Sequence, residues 1–87
     1  MKRLKYFKVV KGIIRSEEVL AGKHLVHATI AWSKLSSEVI YSIHNDQDKL
    51  VGYGLDLTVA GAKKQVKRRM IELGVVFYPE KRRRKND

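Results

Sequence analysis

Hydrophobic and polar residues alternate over residues 23–33, so that Val26, Ala28, Ile30 and Trp32 fall on one face and His27, Thr29, Ala31 and Ser33 on the other. A period of two marks a strand with one buried face. Lys34-Leu35-Ser36-Ser37 reads as its turn, and residues 38–44 as a second strand with Val39, Tyr41 and Ile43 on a shared face. Asn45-Asp46-Gln47-Asp48 is a strong turn signal, because short polar side chains tolerate turn dihedrals and bond their own backbone. Residues 49–57 make a third strand, predicted to turn Val51, Tyr53, Leu55 and Leu57 inward and Gly52, Gly54 and Asp56 outward. Short loops between the three imply an antiparallel meander.

The period then changes. Val59, Ala62, Val66, Met70 and Leu73 keep one apolar stripe at helical spacing, with Thr58 placed to cap the start and Gly74 to follow the end. The two ends of the chain are less determined. Residues 4–15 are rich in β-branched side chains and read as a strand, yet Leu4, Phe7, Val10 and Ile14 also fit a rough helical stripe. Ser16-Glu17-Glu18 either caps one helical turn ending at Gly22 or belongs to a loop. Residues 75–78 are a short apolar stretch, an edge strand or a cover for the core, and Pro79 ends it. The expected architecture is α+β: an antiparallel sheet of three to five strands with one amphipathic helix packed on a face. Residues 1–79 form the single expected domain and residues 80–87 a flexible basic tail.

Composition fits a globular chain. Eighty-seven residues, 44% hydrophobic, hold one core and not two. The absence of cysteine rules out disulfides, a thiolate nucleophile and cysteine-ligated zinc. The first five residues, with three cations among them, are unlike a signal peptide, and no run approaches the ~20 apolar residues of a membrane span. Cytoplasm or nucleoid is the expected location.

Charge changes the picture most. Nineteen Lys and Arg face nine Asp and Glu, a net +10. Residues 1–15 hold six cations and no acid, residues 16–62 three against six, and residues 63–87 ten against three. Two cationic ends around a mildly acidic centre imply concentrated patches, whose self-repulsion a polyanion would relieve. Solubility alone is the plainer explanation, but acidic residues serve it better. On the helix, Lys63, Lys64, Lys67, Arg68 and Arg69 crowd the faces away from the apolar stripe, more than the helix dipole calls for. Lys81, Arg82, Arg83, Arg84 and Lys85 have the composition of a nucleic-acid-binding arm. These ten residues, with Lys5, Lys8 and Lys11 if the first strand lies beside the helix, are the expected phosphate contacts.

Other chemistry is thinner. Trp32, Tyr41 and Tyr53 sit on the apolar faces of their strands and read as core, leaving Tyr6 and Tyr78, close to basic residues, as the better candidates for stacking on bases. His24 and His27 lie three apart on a strand and point to opposite faces, so they do not chelate together. His27 and His44 share an outer face near Asp46 and Asp48, the residues a small metal-dependent nuclease would use, but a further ligand is missing. Phosphate-loop, zincin and nucleophile-elbow motifs are absent. The chain therefore reads as a non-enzyme without cofactor or metal. The alternative partner is an acidic protein surface, met through an apolar anchor such as Phe77 or Tyr78.

Leu50-Val51-Gly52-Tyr53-Gly54-Leu55-Asp56-Leu57-Thr58, leading into Ala62-Lys63-Lys64, resembles the third-strand-to-helix junction of AP2-like domains, including the arm-type DNA-binding domains of phage and transposon integrases. That resemblance spans about half the chain and implies a three-stranded sheet that reads duplex DNA with a helix behind it, in a protein of a phage or mobile element. Here the sheet holds fewer cations than in those domains and the helix more. Gly54 followed by Ala62-Lys63-Lys64-Gln65-Val66-Lys67 is similar to the last strand and basic helix of double-stranded-RNA-binding domains, which implies RNA phosphates as the ligand and a preceding helix over residues 4–14. DNA is the preferred partner of the two; oligomeric state is left open.

Overall fold

The meander is the centre of the sheet. The computed structural model describes residues 3–77. Its elements are β1 (Tyr6–Val10), β2 (Ile13–Ser16), β3 (Val19–Ala21), β4 (His24–Ala31), β5 (Val39–Asn45), β6 (Leu50–Asp56) and α1 (Val59–Glu72). All pairings are antiparallel, in the order β1-β2-β4-β5-β6, and β3 pairs with β4 where β2 leaves off. The sheet is five strands wide, with β2 and β3 sharing one edge of β4. Helix α1 packs on one face, across β4, β5 and β6. The architecture is α+β.

Residues 4–15 resolve to a hairpin and not a helix, because the free edge of β4 is satisfied by pairing with Ile13, Ile14 and Arg15. The first helix that the RNA-binding resemblance implies is thus replaced by strands. Gly12 turns the hairpin at φ +84°, and a Cβ there would lie 2.7 Å from the Trp32 carbonyl oxygen. Ser16 ends β2 and Glu17-Glu18 is a break between strands, with no helical turn. The buried Ser16 hydroxyl accepts from the Ala28 amide (2.8 Å) and donates to the Glu17 carbonyl (2.9 Å). It thereby pairs an amide that the gap between β2 and β3 would orphan. The 45–48 turn forms as expected, with Asn45 Oδ1 accepting from the Gln47 and Lys49 amides.

The third strand is where the pattern misled. Gly52, Gly54 and Asp56 pair with Ile43, Tyr41 and Val39 and so face the helix, while Tyr53 and Leu55 pair with Ser42 and Ile40 and point away. A register shift beside Ile43 sets Val51 out of phase, and Val51 alone of the four expected inward residues packs on the core. The cause is room. Tyr41 is fully buried, and its ring occupies the space a side chain at 54 would need: a Cβ there would lie 2.6 Å from Cζ. Trp32, expected in the core, falls just past the end of β4 and is exposed.

The core comprises Val26, Ala28 and Ile30 of β4, Val39, Tyr41 and Ile43 of β5, and Ala62, Val66 and Met70 of α1, with Val19, Ala21, Leu4 and Val75 around them. Thr58 caps the helix, its side chain accepting from the Gly61 amide at 2.9 Å, and Gly74 follows at φ +109°. Residues 75–77 add no strand, although Val75 is buried. Asp56 joins strand to helix: Oδ1 accepts from the Leu57 and Thr58 amides and Oδ2 from Gln65 Nε2 at 2.6 Å. The Gln65 hydrogen bond, with those amides, holds the Asp56 carboxyl below its ordinary range.

Gly54→Ala forces the Tyr41 ring aside and is expected to destabilise by about 2 kcal/mol, or roughly 8–16 °C in Tm. Gly52→Ala meets only Ile43 Cδ1 at 3.4 Å. It should cost less than half as much, measured by thermal unfolding followed by circular dichroism.

Candidate nucleic-acid interface

The apolar stripe Ala62, Val66 and Met70 fixes how α1 presents its cations. Residues three or four apart lie on the same side of a helix. Lys63 and Lys67 therefore share one flank, Gln65 and Arg69 the other, and Lys64 and Arg68 the crest facing away from the sheet. The flanks meet different surroundings. Lys63 Nζ lies over the Tyr6 ring, 4.9 Å from its centroid, and Lys67 Nζ over Phe77 at 5.3 Å. Arg69 Nε donates to the Tyr41 hydroxyl (3.3 Å), which raises its already high pKa, and that hydroxyl donates to Gln65 Oε1 at 3.0 Å. Arg69 also lies 3.9 Å from Glu72. It serves the helix–sheet joint and stands apart from the other four cations.

A cleft of about 340 Å³ opens between the Lys63 flank and the N-terminal segment, lined by Arg3, Leu4, Tyr6, Lys63, Lys64 and Lys67. Four of the six carry positive charge and none is acidic. Burial pushes the Tyr6 hydroxyl up to about 12, so it keeps its proton. That hydroxyl is buried and has no hydrogen-bond partner among the described residues. Arg3 was missed in the sequence because nothing in the pattern brings residue 3 against residue 63. The hairpin does so, by laying Tyr6 beside the helix.

The remaining expected contacts divide. Lys8 pairs with Ile14, whose neighbour across β4 is the core residue Ile30, so Lys8 projects on the helix side of the sheet. Lys5 is tied at its backbone to Glu17, its amide donating to Glu17 Oε2 at 2.8 Å. Lys11 sits at the hairpin turn beside Trp32 and Lys34, roughly 17 Å along the strand from Tyr6, and does not join the cleft. Lys81, Arg82, Arg83, Arg84 and Lys85, and Tyr78, lie outside the described residues.

The opposite face of the sheet holds the other candidates. His27 and His44 are paired across β4 and β5 and stack with ring centroids 6.0 Å apart. Among the described residues no three His, Asp or Glu side chains gather as metal ligands. His24 turns away to Asp46, Nδ1 to Oδ1 at 3.1 Å. Desolvation, and then the positive charge of Arg15, lower the His27 pKa from 6.5; His44 adds to this, while Glu18 and Asp48 oppose it.

Comparison with known protein families, curated proteins and solved structures finds no match to this chain.

Two measurements follow from this geometry. Tyr6→Phe removes an unpartnered hydroxyl and should leave stability unchanged or slightly higher, whereas Tyr41→Phe breaks two hydrogen bonds and should cost about 1 kcal/mol in chemical denaturation. NMR titration should place the His27 midpoint below 6.5. The unfolded chain then binds that proton more readily, so the stability involved is complete above about pH 6.5 and is lost as pH falls through the folded midpoint. His27→Gln should flatten the decline in Tm between about pH 7 and 5.

Proposed function

We propose that this protein binds nucleic acid without catalysis, through the phosphate backbone, with duplex DNA the preferred ligand. The observation that carries the reading is the acid-free cleft in which Arg3, Lys63, Lys64 and Lys67 gather with Tyr6, Lys63 lying over its ring. Clustered cations without counter-charges suit a row of phosphates. Arg68 on the crest and Lys8 on the edge strand extend the same side. Contacts of this kind position a backbone and carry no base sequence.

The balance between helix and sheet also bears on how DNA would be met. Among the described strand residues of the outer sheet face only Arg15 is a cation, with Lys5 just before β1, so insertion of the sheet into a groove, as in AP2-like domains, draws little charge support. The helix flank draws more. Docking on an acidic protein surface through Phe77 is the weaker reading, because Phe77 packs against the core beneath Lys67.

The test is titration of labelled duplex DNA, single-stranded DNA and duplex RNA at several salt concentrations. Four phosphate contacts from the cleft would give a log–log salt slope near −4 on duplex DNA, steeper with further contacts. The double variant Lys63→Glu with Lys67→Glu should weaken binding at least tenfold and make the slope shallower by about 2. Lys49→Glu, in the β5–β6 turn, controls for net charge and should change little. Absence of binding near 50 mM salt overturns the proposal.

A further inference from the structure

Among the described residues nothing covers the sheet face opposite the helix, and that face is largely apolar. Read across the strands, Ile13, Ala31, Ile40 and Leu55 are successive register partners and form one row, with Val10 at its end. Beside it runs a complete five-strand row, Phe7, Arg15, Thr29, Ser42 and Tyr53. Beyond that lie His27, His44 and Leu50, and the pair Leu20 and Leu25. Tyr53 is 68% exposed, Phe7 58%, Ile40 54% and Leu55 53%, so more than half of each meets solvent. Isolated exposed apolar residues are ordinary, but a contiguous set this wide marks an interaction surface.

We infer that this face is a homodimer interface, on which a second copy of the chain packs sheet against sheet. Two features select that occupant. The first is area. Five strands at about 4.8 Å spacing and six residues of strand length give a face roughly 20–24 Å on each side. That is a footprint of about 400–580 Å², which the relief of side chains standing out from it raises toward the ~800 Å² each partner gives to a stable interface.

The second is charge. A chain of net +10 resists self-association wherever its cations meet. These rows hold only Arg15, which has Glu18 at 3.9 Å. Packing the sheets together sends both helices to the outside. At about 10 Å per layer the two cationic flanks are then roughly 30 Å apart, several screening lengths at physiological salt. The same shortage of cations disfavours nucleic acid as the occupant of this face.

Two such faces related by a two-fold axis pack sheet on sheet. The resulting dimer carries the two cationic helix flanks on opposite sides.

Sedimentation equilibrium of the full chain without nucleic acid, at about 5–200 µM and at two salt concentrations, tests the inference. The expected result is a dimer of micromolar or tighter Kd whose stability rises, or holds, with added salt. Ile40→Glu and Leu55→Glu, both at exposed positions and so compatible with folding, should each weaken it at least a hundredfold, with an unchanged circular dichroism spectrum. Tyr53→Arg is a second probe of the same face. A monomer at ~200 µM overturns the inference, as does a dimer indifferent to all three substitutions. Lys63→Glu with Lys67→Glu should dimerise normally, so the loss of nucleic-acid binding and the loss of dimerisation are separable outcomes.

Discussion

Tyr41 is the contact on which the rest of the fold depends. Its ring fills the gap left over Gly54 on the neighbouring strand, and its hydroxyl, inside the seam between sheet and helix, accepts a hydrogen bond from Arg69 and donates one to Gln65. Gln65 in turn holds Asp56, whose other oxygen shapes the two residues leading into the helix cap. One side chain thus sets the height of α1 above the sheet, its rotation and its point of entry. With rotation fixed by Ala62, Val66 and Met70 beneath it, Lys63 and Lys67 have only one place to go, the side where Tyr6 waits. The cationic cleft is a consequence of core packing.

The same constraint explains what the amino-acid pattern revealed and what it hid. The β4 and β5 strands, the 45–48 turn and the helix with its Thr58 cap were legible because each follows from local alternation, turn chemistry or helical spacing. β6 was read one residue out of phase. Alternation there offers Val51, Tyr53 and Leu55 against Gly52, Gly54 and Asp56, and burial propensity favours the larger set. The choice was made by Tyr41, thirteen residues earlier, which needs a glycine opposite it. No window along β6 contains that information.

The cost of the wrong phase was more than one strand. With Tyr53 and Leu55 assigned inward, the outer face of the meander reads as polar, and its continuity with Ile40, Ile13 and Phe7 disappears. The N-terminal hairpin compounded this, since residues 4–15 satisfied a strand and a helical pattern about equally and only the free edge of β4 decided between them. The charge, in contrast, was plain from composition, although which lysines act together was not. Arg3 joins Lys63 across sixty residues, while Arg69, one residue from Arg68, is diverted to the Tyr41 hydroxyl.

The break between β2 and β3, bridged by the Ser16 hydroxyl, divides the molecule into parts of unequal cohesion. The helix packs over β4, β5 and β6, whereas the β1–β2 hairpin is held to β4 by three residue pairs and by the reach of Tyr6 toward Lys63. Local opening follows the sparser contacts, so amides of the hairpin are expected to exchange with solvent ahead of those in the meander. The cleft spans that division, one wall belonging to each part. An anion bound between Arg3 and Lys63, as proposed, would act as a clasp, its binding free energy stabilising the docking of the hairpin as well as recognition.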